Sequence, residues 1–151
     1  MTVSIQRRYF DDLVVGETAE SLPYTVQLEE MLEFARRYDP QYFHIDTEAA
    51  KASHFGAVIA SGLYSAAVWR RLDHQISGDI AWICGIAWKE AVWPNPLRAG
   101  AVVRARAECV SKRKSRSDAK RGVVETRYTM VNDQAQVVFG CLSVNLIEVA
   151  A

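Results

Sequence analysis

The period of the hydrophobic pattern changes once along the chain, and that change limits the fold more than any other feature. Over residues 28–38, Leu28, Met31, Leu32, Ala35 and Tyr38 recur at helical spacing, with Glu29, Glu30, Glu33, Arg36 and Arg37 mostly off the stripe. From about residue 80 onward the spacing drops to two. In 101–110, Val103, Ala105, Ala107 and Cys109 alternate with Arg104, Arg106 and Glu108. Residues 123–131 alternate similarly, Asn132-Asp133-Gln134 marks a turn, and 136–149 reads as a long last strand. A helical first half followed by a strand-only second half predicts an α+β fold, an antiparallel sheet packed on one buried helix.

That helix is expected over about 62–73, because the run after Gly62 is apolar on most sides in its first half, with Ser61 as its N-cap. Pro40 must end the earlier helix, since the residue before a proline is driven out of the α region; Asp39 then stands on extended backbone. Residues 8–18 read as a turn-bearing lead-in, 24–26 as a short strand and 46–52 as one or two helical turns, with strand structure also over 80–90. At 151 residues, without repeats or a Pro/Gly/Ser linker, the whole of 1–151 is expected to be a single domain.

Eighteen basic side chains balance eighteen acidic ones, which argues against a nucleic-acid binder, a class that carries a basic excess. Cys84, Cys109 and Cys141 are widely separated and odd in number, so neither a disulfide framework nor a metal site is indicated. No apolar signal core precedes Arg8, and charged residues interrupt every long apolar run. The expectation is a reduced, cytoplasmic protein with no membrane partner.

Two of the three histidines, His54 and His74, sit in polar surroundings and are expected to be idle. His44 shares a short, proline-constrained loop with Asp39, and such a pair is able to hold one water, with histidine as the titratable partner. Gly62 opens the buried helix, where the first backbone N–H groups lack partners and favour a developing negative charge. The run 112–121 carries six basic residues and one acid between two strands; most such runs are solvated loops, but Arg113, Lys114 and Arg116 are candidates to contact phosphate.

Four segments in this order resemble the MaoC-like dehydratase family, which includes R-specific enoyl-CoA hydratases. They are Phe10-Asp-Asp-Leu-Val-Val-Gly-Glu17, Asp39-Pro-Gln-Tyr-Phe-His44-Ile-Asp46, Phe55-Gly-Ala-Val-Ile-Ala-Ser-Gly62 and Val92-Trp-Pro-Asn-Pro-Leu-Arg-Ala-Gly100. The resemblance implies a hotdog fold, a sheet wrapped around a central helix, and a homodimer or higher homo-oligomer. It also implies coenzyme A thioesters as ligands, with no further cofactor, and reversible hydration of trans-2-enoyl-CoA. Asp39 and His44 then correspond to the family's catalytic pair and Gly62 to its oxyanion donor, with Ser61 beside the substrate. Pro40, Gln41 and Ser61 depart from the common family pattern, in which the helix entry is often Ala-His-Gly. An acyl-CoA thioesterase and a non-catalytic acyl-CoA-binding subunit are the alternatives.

Overall fold

The computed structural model describes residues 4–151; residues 1–3, the head of the stretch read for a signal core, lie outside the described residues. A single 3-10 turn, Phe10–Asp12, leads into strand β1 (Thr18–Glu20) and the two-residue β2 (Tyr24–Thr25). Four helices follow: α1 (Leu28–Tyr38), α2 (Tyr42–Ile45), α3 (Thr47–Lys51) and α4 (Gly62–Ser77). The remainder is β3 (Trp82–Val92), β4 (Val102–Lys114), β5 (Arg121–Val131) and β6 (Val137–Glu148). These strands form an antiparallel sheet in the order β1-β4-β5-β6-β3, with β2 also on β4.

The sheet curls around α4. Val103, Ala105, Tyr128, Met130, Phe139 and Cys141 from its concave face join Tyr64, Trp69 and Leu72 of the helix in one buried cluster. Ala105 and Ala107 are small enough to let the helix approach β4. Trp69, fully buried, packs edge-on to Tyr128 at 5.0 Å between ring centroids. The inward set Val103, Ala105, Ala107 and Cys109 is buried as the alternation predicts.

Three expectations need correction. The lead-in 8–18 ends in a strand, since Thr18 opens β1, which runs on to Glu20; its three residues are all exposed, so pairing with β4 leaves no apolar alternation to read. His44 stands in the one-turn helix α2 rather than in a loop; its N–H bonds back to the Gln41 carbonyl at 2.8 Å, closing the turn that follows Pro40. The central helix runs on to Ser77, one turn past the expected end. Polar Asp73 and Ser77 in that turn are buried, with the Ser77 hydroxyl donating to the Asp73 carbonyl, while His74 and Gln75 face solvent.

Candidate active site

Two elements meet at the start of α4. Asp39 caps the end of α1 with φ −155° and ψ 72°, off the helical region as its following proline requires, while its N–H still bonds to the Ala35 carbonyl. Seven residues on, Asp46 caps α3 by accepting from the N–H groups of Glu48 and Ala49. The chain between is therefore pinned at both ends, and His44 is held inside it.

His44 is buried, and its Nδ1 lies 2.8 Å from the Ile59 carbonyl. A carbonyl only accepts, so Nδ1 carries the proton and the neutral ring presents a lone pair at Nε2. Nε2 faces Asp39 Oδ2 at 3.6 Å, beyond a direct hydrogen bond but within reach of a shared water. Ile59 is itself tied back, its N–H donating to the Phe43 carbonyl at 3.2 Å, so the ring's anchor belongs to the same loop pair.

Ser61, expected as a substrate contact, is fully buried and its hydroxyl is used twice. It donates to Asp39 Oδ2 at 2.7 Å and accepts from the Leu63 N–H at 3.2 Å. One side chain thus caps α4 as expected and fixes the carboxylate opposite His44; it positions Asp39 and lies too deep to touch a ligand.

Gly62 is the first residue of α4, and its N–H makes no hydrogen bond among the described residues. Trp93 covers the same corner, its indole N–H donating to the Gly62 carbonyl at 3.0 Å. A Cβ on residue 62 would meet that indole nitrogen at 3.0 Å, so glycine is what allows the tryptophan to close over the helix start. Trp93 also packs on Phe139, ring centroids 5.4 Å apart. Asp39, His44, Ser61 and Gly62 are therefore brought together. Sequence reasoning missed the Ile59 carbonyl and gave Trp93 no role beyond its place in the segment 92–100, because neither reveals its partner until the chain is folded.

The basic run is not brought to this corner within one chain. Arg113 and Lys114 pair with Val123 and Gly122 at one end of β5, whereas Met130, near the other end, pairs with Phe139 beside Trp93. The eight residues between Gly122 and Met130 span about 26 Å of strand. Lys112 is engaged locally, its ammonium donating to the Phe10 carbonyl and lying 4.8 Å from that ring's centroid. His54 and His74 are exposed. Among the described residues, no His/Cys/Asp/Glu group is arranged to hold a metal, and no helix is long and apolar enough to cross a membrane.

The arrangement offers a proton acceptor, a carboxylate and a free helix N–H around one small volume, which suits acid–base work on a polarised carbonyl compound. The sequence is 33% identical over 58 residues to the uncharacterized protein YdeM of Bacillus subtilis, a match spanning 38% of this chain and only 41% of that relative. Its fold superposes on the MaoC-like dehydratase from Rhodospirillum rubrum with a TM-score of 0.84 and 29% identity, covering 95% of this chain and 99% of the other. An R-hydratase from Pseudomonas aeruginosa shares the fold at 19% identity and a TM-score of 0.69, covering 95% and 90% of the two chains. So does a double-hotdog protein of Mycobacterium tuberculosis, at 16% identity and 0.80, covering 98% of this chain and 46% of that one. The fold is therefore a hotdog. Residues 12–133 match the model of the MaoC-like domain, and the chain belongs to that family.

Proposed function

We propose that the protein catalyses reversible hydration of a trans-2-enoyl-CoA to the 3-hydroxyacyl-CoA, in the cytoplasm and with no cofactor beyond the coenzyme A of its substrate. The observation that carries this reading is the Nδ1–Ile59 hydrogen bond, which leaves the His44 Nε2 lone pair directed at Asp39 beside the Gly62 N–H. Membership of the MaoC-like family supports the reaction class. With the thioester carbonyl at the Gly62 N–H, electron density is drawn toward oxygen and the β-carbon becomes electrophilic. Water held between Asp39 and His44 bonds through its oxygen to the β-carbon and gives up a proton to the pair. The enolate formed at the carbonyl then takes a proton at the α-carbon, and dehydration is the same path reversed.

The phosphates of coenzyme A are assigned to Arg113, Lys114 and Arg116 of a second copy, since their own chain holds them about 26 Å along β5 from the site. A second copy is also called for by β3. It is an edge strand, and Ile83, Ile86, Trp88 and Val92 on it are exposed, an apolar edge of the kind that pairs with another chain. The three free cysteines accord with a reducing compartment.

The test is loss of enoyl-thioester absorbance with crotonyl-CoA and longer enoyl-CoAs. Asp39→Asn and His44→Gln should each lower kcat by about 10²- to 10⁴-fold while the protein stays folded. Thiol release from saturated acyl-CoA without hydration would replace this reading with a thioesterase, and tight acyl-CoA binding without either reaction with a binding subunit.

A further inference from the structure

At the end of α1 opposite Asp39, two tyrosines from different elements converge on one carboxylate. Glu30, in the first turn of α1, accepts at Oε1 from the Tyr24 hydroxyl at 2.6 Å and from the Tyr64 hydroxyl at 2.8 Å. Tyr24 belongs to β2, which pairs with Val102 and Val103 of β4 and so anchors Glu30 to the sheet. Tyr64 is buried in the first turn of α4, two residues beyond Gly62. Three elements are tied at a single oxygen.

α1 depends on such a tie for its placement. It has only 11 residues, too few for a helix to hold itself in water, and its N-cap Gln27 makes no side-chain capping bond. Met31, Leu32 and Ala35 bury its inner face, but apolar burial carries no direction and permits a small slide or turn of the helix. Hydrogen bonds do carry direction. Among the described residues, two side-chain hydrogen bonds join α1 and its cap Asp39 to α4 and its cap Ser61. One runs from Tyr64 to Glu30, the other from Ser61 to Asp39. On α1 the two points are nine residues apart, about 14 Å along the axis.

The packing between these points is continuous. Phe34 meets Tyr64 edge-on with 5.6 Å between ring centroids, and it lies 5.1 Å from the ring of Tyr38, the neighbour of Asp39. The Asp39 N–H is bonded to the Ala35 carbonyl, so the backbone that carries the carboxylate moves with the helix. Held by Ser61 alone, α1 is free to pivot about Asp39 Oδ2; held at both ends, it keeps that oxygen 3.6 Å from His44 Nε2. Burial, and after it the facing Glu30 carboxylate, push the Tyr64 hydroxyl well above its ordinary pKa of 10.0, so it stays a donor throughout the neutral range.

Resting on the hydratase reading above, we propose that Glu30 and Tyr64 are positioning residues for the reaction: their hydrogen bond fixes the register of α1 on α4 and so holds the Asp39 carboxylate at the distance from His44 that admits the water. They act through Asp39.

The experiment follows hydration of crotonyl-CoA by the full-length protein and its variants. Tyr64→Phe keeps the ring and removes only the hydroxyl. It should lower kcat about tenfold with KM within about twofold, part of the roughly 10²-fold that a misplacement of about 1 Å costs. Glu30→Ala should do the same, and Glu30→Gln, whose amide oxygen still accepts, should recover most of the loss. The deciding readout is the Asp39→Asn background, where no carboxylate remains to be misplaced. There Tyr64→Phe should cause no further loss of kcat, because both changes remove the same interaction. A hydroxyl that merely stabilised the fold would lower activity equally in both backgrounds. An equal loss in both, or an unchanged kcat in folded Tyr64→Phe, overturns the inference and leaves the hydratase reading standing on the wild-type turnover. If Tyr64→Phe does not fold, Glu30→Ala at an exposed position carries the same comparison. No turnover by wild type overturns the hydratase reading, and the inference with it.

Discussion

Ser61 links stability and catalysis in a single hydroxyl. It caps α4 through the Leu63 N–H and holds Asp39 Oδ2 opposite His44. Ser61→Ala should therefore lower stability by about 1 kcal/mol, the usual value of an N-cap, and also lower kcat, with KM moving little because the side chain touches no ligand. Ser61→Thr keeps the hydroxyl and should restore most of both. Thermal unfolding and steady-state kinetics on the same preparations separate the two effects; a loss of stability with kcat intact would show that Asp39 is oriented by other contacts. Arg8 and Asp79 form a second instructive pair. The Arg8 guanidinium donates to the Asp79 carboxylate at 2.7 Å and holds its pKa below the ordinary 3.8. A carboxylate depressed in the folded state stabilises above its unfolded pKa and loses that contribution as pH falls through the folded value. Arg8→Ala should flatten the acid limb of the stability curve below about pH 4, an effect kept small by the partial exposure of both groups.

At the scale of elements, the central helix depends on Trp69, which touches Tyr128, Phe139 and Trp88. Trp69→Ala should cost about 3–5 kcal/mol by emptying the middle of the core, read as a lower midpoint in chemical denaturation with an unchanged slope. The lead-in turn docks differently. Phe10 packs over Gly122 of β5 so closely that any Cβ at 122 would strike its ring. Gly122→Ala must therefore displace Phe10 from its cluster with Leu13, Cys109, Val124 and Ile147, at a cost of about 1–3 kcal/mol. Cys109 would be uncovered in the same step, so faster labelling of its thiol in that variant is the specific readout.

For the whole molecule, the decisive feature is the unpaired edge of β3 with its exposed Ile83, Ile86 and Val92. The proposed second copy would cover it, and Ile86→Lys should shift the species seen by sedimentation toward the monomer. Hydratase activity should fall with it if the phosphate contacts come from the partner, whereas a fully active monomer would place them on the same chain.

Much of this molecule can be read in its sequence. The change from helical to strand spacing carries the α+β class, Pro40 sets the end of α1 and the extended backbone at Asp39, and the inward residues of β4 follow from alternation. These are local effects of backbone sterics and periodic burial, complete within a few neighbouring residues. The tertiary structure alone decided the rest. Ser61 meets Asp39 across 22 positions and His44 finds Ile59 across 15, while Trp93 closes on Gly62 from 31 residues away. Such contacts leave no periodic trace, because a hydrogen bond between distant residues depends on where the sheet curls and not on the spacing of either partner.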